Sequence, residues 1–289
     1  MERRLVKVGD HEVMTYSEGT GDRVLLVLHG GPGVPCDYVR DAHLAYAQQG
    51  YRVVSWDQLG CGESEQPIDT SLWNVPRFVE EVEAVRSTLG LEQVLLLGHS
   101  WGGTLGLEYC LAYPQHVKAF IAVTIAFDQP LLQQGYVRKK QDLGAETVRM
   151  LALREAEGST DHPEYQAAIT ILTYRHTCRM EKWPDPVVKS MRTVGRGPWR
   201  TMFGPYSFNC TGTLRNYNRN DDLHRLQMPV LMLASEHDYI LPEFVDASAQ
   251  LIPNAKCLIF RNCAHMPFWE NPAVYHRTIT QFLEELSNG

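Results

Sequence analysis

The most constraining stretch of this 289-residue chain is Val94-Leu95-Leu96-Leu97, which runs straight into Gly98-His99-Ser100-Trp101-Gly102-Gly103. The four apolar residues predict a buried strand, and Thr104 to Tyr113 is compatible with a helix. Gly-x-Ser-x-Gly between a strand and a helix is the sequence form of a nucleophile elbow. That turn is so sharp that its serine is held in a strained conformation with the hydroxyl presented outward. The residues two before and two after the serine must be small for the turn to close, and both are glycine. The five-residue pattern alone also fits an ordinary Gly/Ser turn; the flanking strand and helix favour the catalytic reading.

The rest of the chain alternates in the same way. Leu5–Val8 and Glu12–Ser17 flank the turn Gly9-Asp10-His11 and predict an antiparallel hairpin. Val24–Leu28, Arg52–Trp56, Val94–Leu97, Val117–Val123, Val230–Ala234 and Lys256–Phe260 predict six further strands. Val24–Leu28 has the continuous apolar character of a strand buried on both faces. Phe78, Val82, Val85 and Leu89 recur at helical spacing, and Asn271-Pro272 opens a final amphipathic helix to about Leu286. This rhythm predicts an α/β fold: a mostly parallel eight-stranded sheet with helices on both faces. It lapses between Asp128 and about Asn220. There the pattern gives helices over Ala145–Glu157, His162–Arg179 and Asp185–Met191, with aromatic loops around Trp199, Phe203, Tyr206 and Phe208. We therefore expect residues 1–127 and 221–289 to form the core, and residues 128–220 to form a helical cap rather than a separate domain.

A serine hydroxyl needs a base to take its proton, and the base needs an acid to fix its tautomer. In strand–turn–helix hydrolases these partners follow late strands, in chain order serine, acid, histidine. Val230–Ala234 leads into Ser235-Glu236-His237-Asp238, and Lys256–Phe260 leads into Arg261-Asn262-Cys263-Ala264-His265. The expected triad is Ser100, Asp238 and His265, with Glu236 as the rival acid. His237 beside Asp238 resembles half of a metal pair, but no ligand cluster joins it, so neither a metal nor another cofactor is expected. Donors for a developing oxyanion are expected from the backbone of Trp101 and Gly31, the latter in the loop His29-Gly30-Gly31-Pro32-Gly33.

Composition narrows the partners. A formal net charge of -7 and the lack of a basic, aromatic-interleaved run argue against nucleic acid or an anionic membrane. No apolar stretch reaches the roughly 18 residues needed to span a bilayer, and the N-terminus has no signal-like apolar region. Seven cysteines without a Cys-x-x-Cys pair read as free thiols of a cytoplasmic protein. The expected partner is a small amide or ester substrate; the oligomeric state is not legible.

The chain resembles the proline iminopeptidase branch of the α/β-hydrolases, peptidase family S33. The matching pieces are the His29–Gly33 loop, Trp56-Asp57-Gln58-Leu59-Gly60-Cys61-Gly62, Gly98–Gly103, Gly204-Pro205 with Thr211-Gly212-Thr213, and His265 with Trp269-Glu270. The resemblance implies the fold, the cap, the triad and the oxyanion pair. It also implies that a substrate amine is held by two glutamates. One lies in the segment that here reads Gly204-Pro205-Tyr206-Ser207-Phe208, and the other follows the catalytic acid, where this chain has Tyr239. Glu63 stands where the family often has arginine. Ser207, Tyr239, Tyr206, Phe208, Trp199 and Glu181 are the expected substrate-binding residues, with Glu181 or Glu63 as replacement anchors. Two activities stay open: a peptidase or amidase, and an ester, thioester or lactone hydrolase. A non-catalytic receptor on the same fold is the alternative from another class. Serine at the elbow disfavours haloalkane dehalogenase or epoxide hydrolase chemistry, which uses aspartate there.

Overall fold

A computed structural model describes residues 1–288. Eight strands form one sheet: β1 (Glu2–Val8), β2 (His11–Glu18), β3 (Arg23–Leu28), β4 (Tyr51–Trp56), β5 (Val94–His99), β6 (Val117–Val123), β7 (Val230–Ser235) and β8 (Ala255–Phe260). Their order is β1-β2-β4-β3-β5-β6-β7-β8. β1 and β2 form the expected hairpin and β2 runs antiparallel to β4, while every other pairing is parallel. Helices α1 (Asp37–His43), α2 (Val75–Thr88) and α3 (Trp101–Ala112) fall before β6. Between β6 and β7 lie α4 (Gln129–Gln141), α5 (Ala145–Glu157), α6 (Pro163–His176), α7 (Asp185–Arg192) and α8 (Arg196–Pro198). After β7 come α9 (Pro242–Gln250), α10 (Pro267–Glu270) and α11 (Pro272–Asn288).

The central strands β3, β5, β6 and β7 are almost wholly apolar because successive residues point to opposite, equally buried faces. Leu25, Val27, Leu95, Leu97, Ile121 and Leu231 pack with α1 and α11. Leu26, Leu28, Leu96, Ala122 and Met232 pack with α2, α3 and α9. At the start of α11 the Asn271 side chain accepts from the Val274 N–H, which is the cap that the Asn-Pro pair predicts.

Helices α1, α4, α8, α9 and α10 carry no sequence expectation, and two of them show why. Helix α1 is seven residues long and buried at six of them, so it has no polar face to create a period. Helix α4 is largely polar, but Asp128 caps it by accepting from the Leu131 N–H at 2.9 Å. Its Gly135 is a packing requirement: a Cβ there would lie 2.2 Å from the Tyr239 carbonyl oxygen. That close approach lays α4 across the loop that follows β7.

Candidate active site

The sheet order places the site. β3 is flanked by β4 on one side and β5 on the other, so the connections leaving β3 and β5 diverge at their C-terminal ends. Leu28 pairs with Gly98 at this switch point, which brings the His29–Gly33 loop beside the elbow. Ser100 sits there with φ 55 and ψ -123, in left-handed space that a side chain rarely enters. Its N–H donates to the Val123 carbonyl at 3.0 Å, which fixes the turn to β6. A Cβ on Gly98 would come within 2.2 Å of the Gly102 oxygen, and one on Gly102 within 2.3 Å of the Leu28 oxygen. The elbow therefore closes only with glycine at both positions.

The loops after β7 and β8 bring in the other two groups. His265 Nδ1 lies 2.9 Å from Asp238 Oδ2 and 3.1 Å from Oδ1. A carboxylate can only accept, so Nδ1 carries the hydrogen and Nε2 is left with its lone pair. Burial holds the His265 imidazole down at about 3 and pushes the Asp238 carboxyl well above its usual range, against the N–H groups of Ile240 and Tyr239. The His265 ring lies between Tyr239 and His99, with centroids 4.4 and 4.6 Å away. Its loop is pinned by Glu270, whose carboxylate accepts from the N–H groups of Ala264 (2.9 Å) and Met266 (3.2 Å), and from that of Arg179 after α6 (2.8 Å). The rival acid Glu236 faces solvent, where it accepts from the Asn262 N–H at 2.9 Å.

A buried relay joins the two glycine-rich loops. The His265 carbonyl accepts from His99 Nε2, 2.8 Å away, so that nitrogen bears the hydrogen. Burial keeps His99 neutral, and its Nδ1 therefore accepts from the Tyr38 hydroxyl at 2.6 Å. The Tyr38 oxygen in turn accepts from the Gly30 N–H at 2.7 Å. Gly30 is thus occupied, whereas the Gly31 N–H donates to no protein acceptor among the described residues. The Trp101 N–H opens the first turn of α3, where no intrahelical acceptor exists. Its indole Nε1 donates to Gln58 Oε1 at 2.9 Å, and Gln58 also donates to the His29 carbonyl, locking elbow to loop.

Ser100, His265, Gly30 and Gly31 all open on one cavity of about 540 Å³. Tyr136, Trp199, Phe203, Phe208 and Tyr239 form an aromatic wall within it.

Known proteins share the fold that carries this arrangement. A family profile described as the alpha/beta hydrolase fold matches residues 23–272. The proline iminopeptidase of Heyndrickxia coagulans is 35% identical over 272 residues, 94% of each chain. A proline iminopeptidase structure from Mycobacterium smegmatis superimposes with a TM-score of 0.90 at 31% identity, covering 99% of this chain and 98% of that one. The structure of VinJ does so with a TM-score of 0.94 at 28% identity, covering 99% of both. The chain belongs to the α/β-hydrolase family, in its proline iminopeptidase-like branch.

Of the substrate-binding residues expected for this hydrolase, Ser207, Phe208, Trp199 and Tyr239 line the cavity, and the Tyr239 hydroxyl faces that of Ser100. Two do not. Tyr206 turns away and donates to the Glu155 carbonyl at 2.8 Å, because the short bridge between Tyr206 and Asn209 points alternate side chains apart. Glu181 is exposed in the connection between α6 and α7 and is absent from the wall. Glu63 is engaged by Arg3 and the Tyr16 hydroxyl on the β1–β2 side. Among the described residues no aspartate or glutamate lines the cavity. Sequence reasoning missed Tyr136 of α4, and it missed Arg192, Arg196 and Arg200; the cap of α4 at Asp128-Gln129-Pro130 was the one available signal. All seven cysteines are unpaired, and no helix among the described residues is long and apolar enough to cross a membrane.

Proposed function

We propose that this hydrolase is a serine hydrolase that cleaves a small amide or ester through an acyl-enzyme, with residues 128–220 as the cap over its site. The observation that carries the reading is the convergence on one cavity of a strained Ser100, a His265 tautomer with free Nε2, and the unpartnered Gly31 N–H. Ser100 Oγ attacks the substrate carbonyl carbon while His265 Nε2 takes its proton. The Gly31 and Trp101 N–H groups receive the oxyanion. Collapse breaks the bond to the leaving group, which departs with the proton from His265. Water then attacks the acyl carbon, giving its proton to His265, and the second collapse returns that proton to Ser100. Asp238 holds the Nδ1–H throughout. The unpaired thiols support a reducing compartment such as the cytoplasm.

The relatives are named proline iminopeptidases, and in this chain the positions that resemblance assigns to amine-binding glutamates are Ser207 and Tyr239. A buried ammonium without an anion costs roughly 3 kcal/mol or more, about two orders of magnitude in rate. We therefore assign the site to esters and amides that carry no free amine next to the scissile carbonyl. The test compares prolyl 4-nitroanilide with its N-acetyl counterpart. Faster cleavage of the acetylated substrate is expected; preference for the free amine returns the chain to aminopeptidase activity.

A further inference from the structure

The protein carries 34 acidic side chains against 27 basic ones, and its buried or half-buried arginines are paired with carboxylates except Arg52, which donates to the Ser17 hydroxyl. Arg40 meets Asp37, Arg77 meets Glu81, Arg86 meets Glu83, and Arg219 meets Glu108. Among the exposed arginines with no such partner, which include Arg4, Arg149, Arg175 and Arg277, three alone gather on the catalytic cavity. Arg192 ends α7, Arg196 opens α8 and Arg200 lies in the turn after it, and all three reach the wall of the catalytic cavity at its solvent-exposed margin. None has an ion pair, a side-chain hydrogen bond or an aromatic ring beneath it among the described residues. The segment that carries them is nevertheless fixed. The Gly195 N–H donates to the Gly33 carbonyl at 2.7 Å, tying it to the loop that holds Gly31.

Three arginines with no counter-ion on one cavity wall, and no acid on that wall, form a positive margin whose partner comes from outside. Guanidinium forks match the two-oxygen edge of a carboxylate or phosphate. Resting on the serine-hydrolase reading above, we propose that Arg192, Arg196 and Arg200 are an anion subsite, which holds a carboxylate or phosphate carried by the substrate. The substrate class that follows has a carbonyl at Ser100, an apolar body against Tyr136, Trp199 and Phe203, and an anionic end at the margin. This is opposite in charge to a free-amine substrate.

Binding is measured by calorimetry on Ser100→Ala protein, in which esters stay intact, with dimethyl adipate, monomethyl adipate and hexyl phosphate. In parallel, turnover of 4-nitrophenyl hexanoate by the unaltered protein reports on the serine site alone. Monomethyl adipate or hexyl phosphate should bind about tenfold more tightly than the neutral diester, given three exposed pairs of modest strength. Whichever of the two binds more tightly tells carboxylate from phosphate. The advantage should shrink as salt rises from roughly 0.05 M to 0.5 M and screens the pairs. It should vanish in Arg192→Gln/Arg196→Gln/Arg200→Gln and reverse in Arg196→Glu/Arg200→Glu. Equal binding of the neutral and anionic ligands overturns the subsite, as does an advantage that survives loss of all three arginines. Failure of hexanoate turnover with the anion preference intact would instead strike the serine-hydrolase reading.

Discussion

The conformation of Ser100 makes a stability prediction that can be separated from chemistry. A non-glycine residue in such a sparsely populated region stores about 1–3 kcal/mol, and Ser100 is held there at φ 55 and ψ -123. Ser100→Ala and Ser100→Gly both delete the hydroxyl, so both should fail to react with a fluorophosphonate probe. They differ in strain. Glycine adopts positive φ without penalty but gives up roughly 0.5–1 kcal/mol to the entropy of the unfolded chain. The net expectation is that Ser100→Gly is more stable than Ser100→Ala by about 1 kcal/mol, read as a shift in urea midpoint at constant slope. The same turn supplies the opposite sign. In Gly102→Ala the new Cβ would sit 2.3 Å from the Leu28 carbonyl oxygen, backbone that cannot yield, and a loss of about 3 kcal/mol is expected. A Ser100→Gly protein no more stable than Ser100→Ala, or a Gly102→Ala protein that folds normally, would refute the strained-elbow argument.

Three further outcomes follow from the same geometry. Asp238→Asn should lower kcat roughly 10⁴-fold while the exposed Glu236→Gln has a far smaller effect, and the reverse ranking in steady-state kinetics would exchange their roles. Glu270→Gln turns an amide N–H₂ toward the backbone donors of the His265 loop, leaving at least one unpaired, and should cost about 1–3 kcal/mol in urea unfolding together with a fall in kcat; an unchanged kcat would make Glu270 purely structural. Burial depresses His43 and His265 to about 3, so the folded state refuses protons that the unfolded state takes up below about 6.5 and stability falls with pH through that window. From about pH 7 to pH 5 each such imidazole removes roughly 2 kcal/mol. His43→Gln should therefore show a loss smaller by that amount than the unaltered protein does, and the acid limb of kcat/KM should lie below about pH 6.5; equal losses in the two proteins, or a limb at neutral pH, would contradict the burial effect.

By itself the sequence determined the parts whose causes are local. Continuous apolar runs marked the central parallel strands because both of their faces are covered, and all eight strands lie where the sequence placed them. The elbow was legible because its tightness dictates glycine at fixed offsets from Ser100. Asp238 and His265 were legible because each loop begins where a readable strand ends. Only the tertiary structure decided what surrounds them. The longest single link of the relay Gly30–Tyr38–His99–His265 spans 166 positions, and no spacing encodes it. Helix α1 was silent because burial on nearly every side erases periodicity, and α4 because only Leu132 and Tyr136 are large apolar residues on its buried side, beside Gln129 and Gly135. The cavity wall divided the expected residues for the same reason. Glu181 and Arg192 lie close in one polar stretch, yet the orientation of α7 and the tie from Gly195 to Gly33 set the arginines on the cavity and leave the glutamate in solvent. Which way a polar side chain faces depends on how its segment is docked, and docking is settled by contacts distant in the chain.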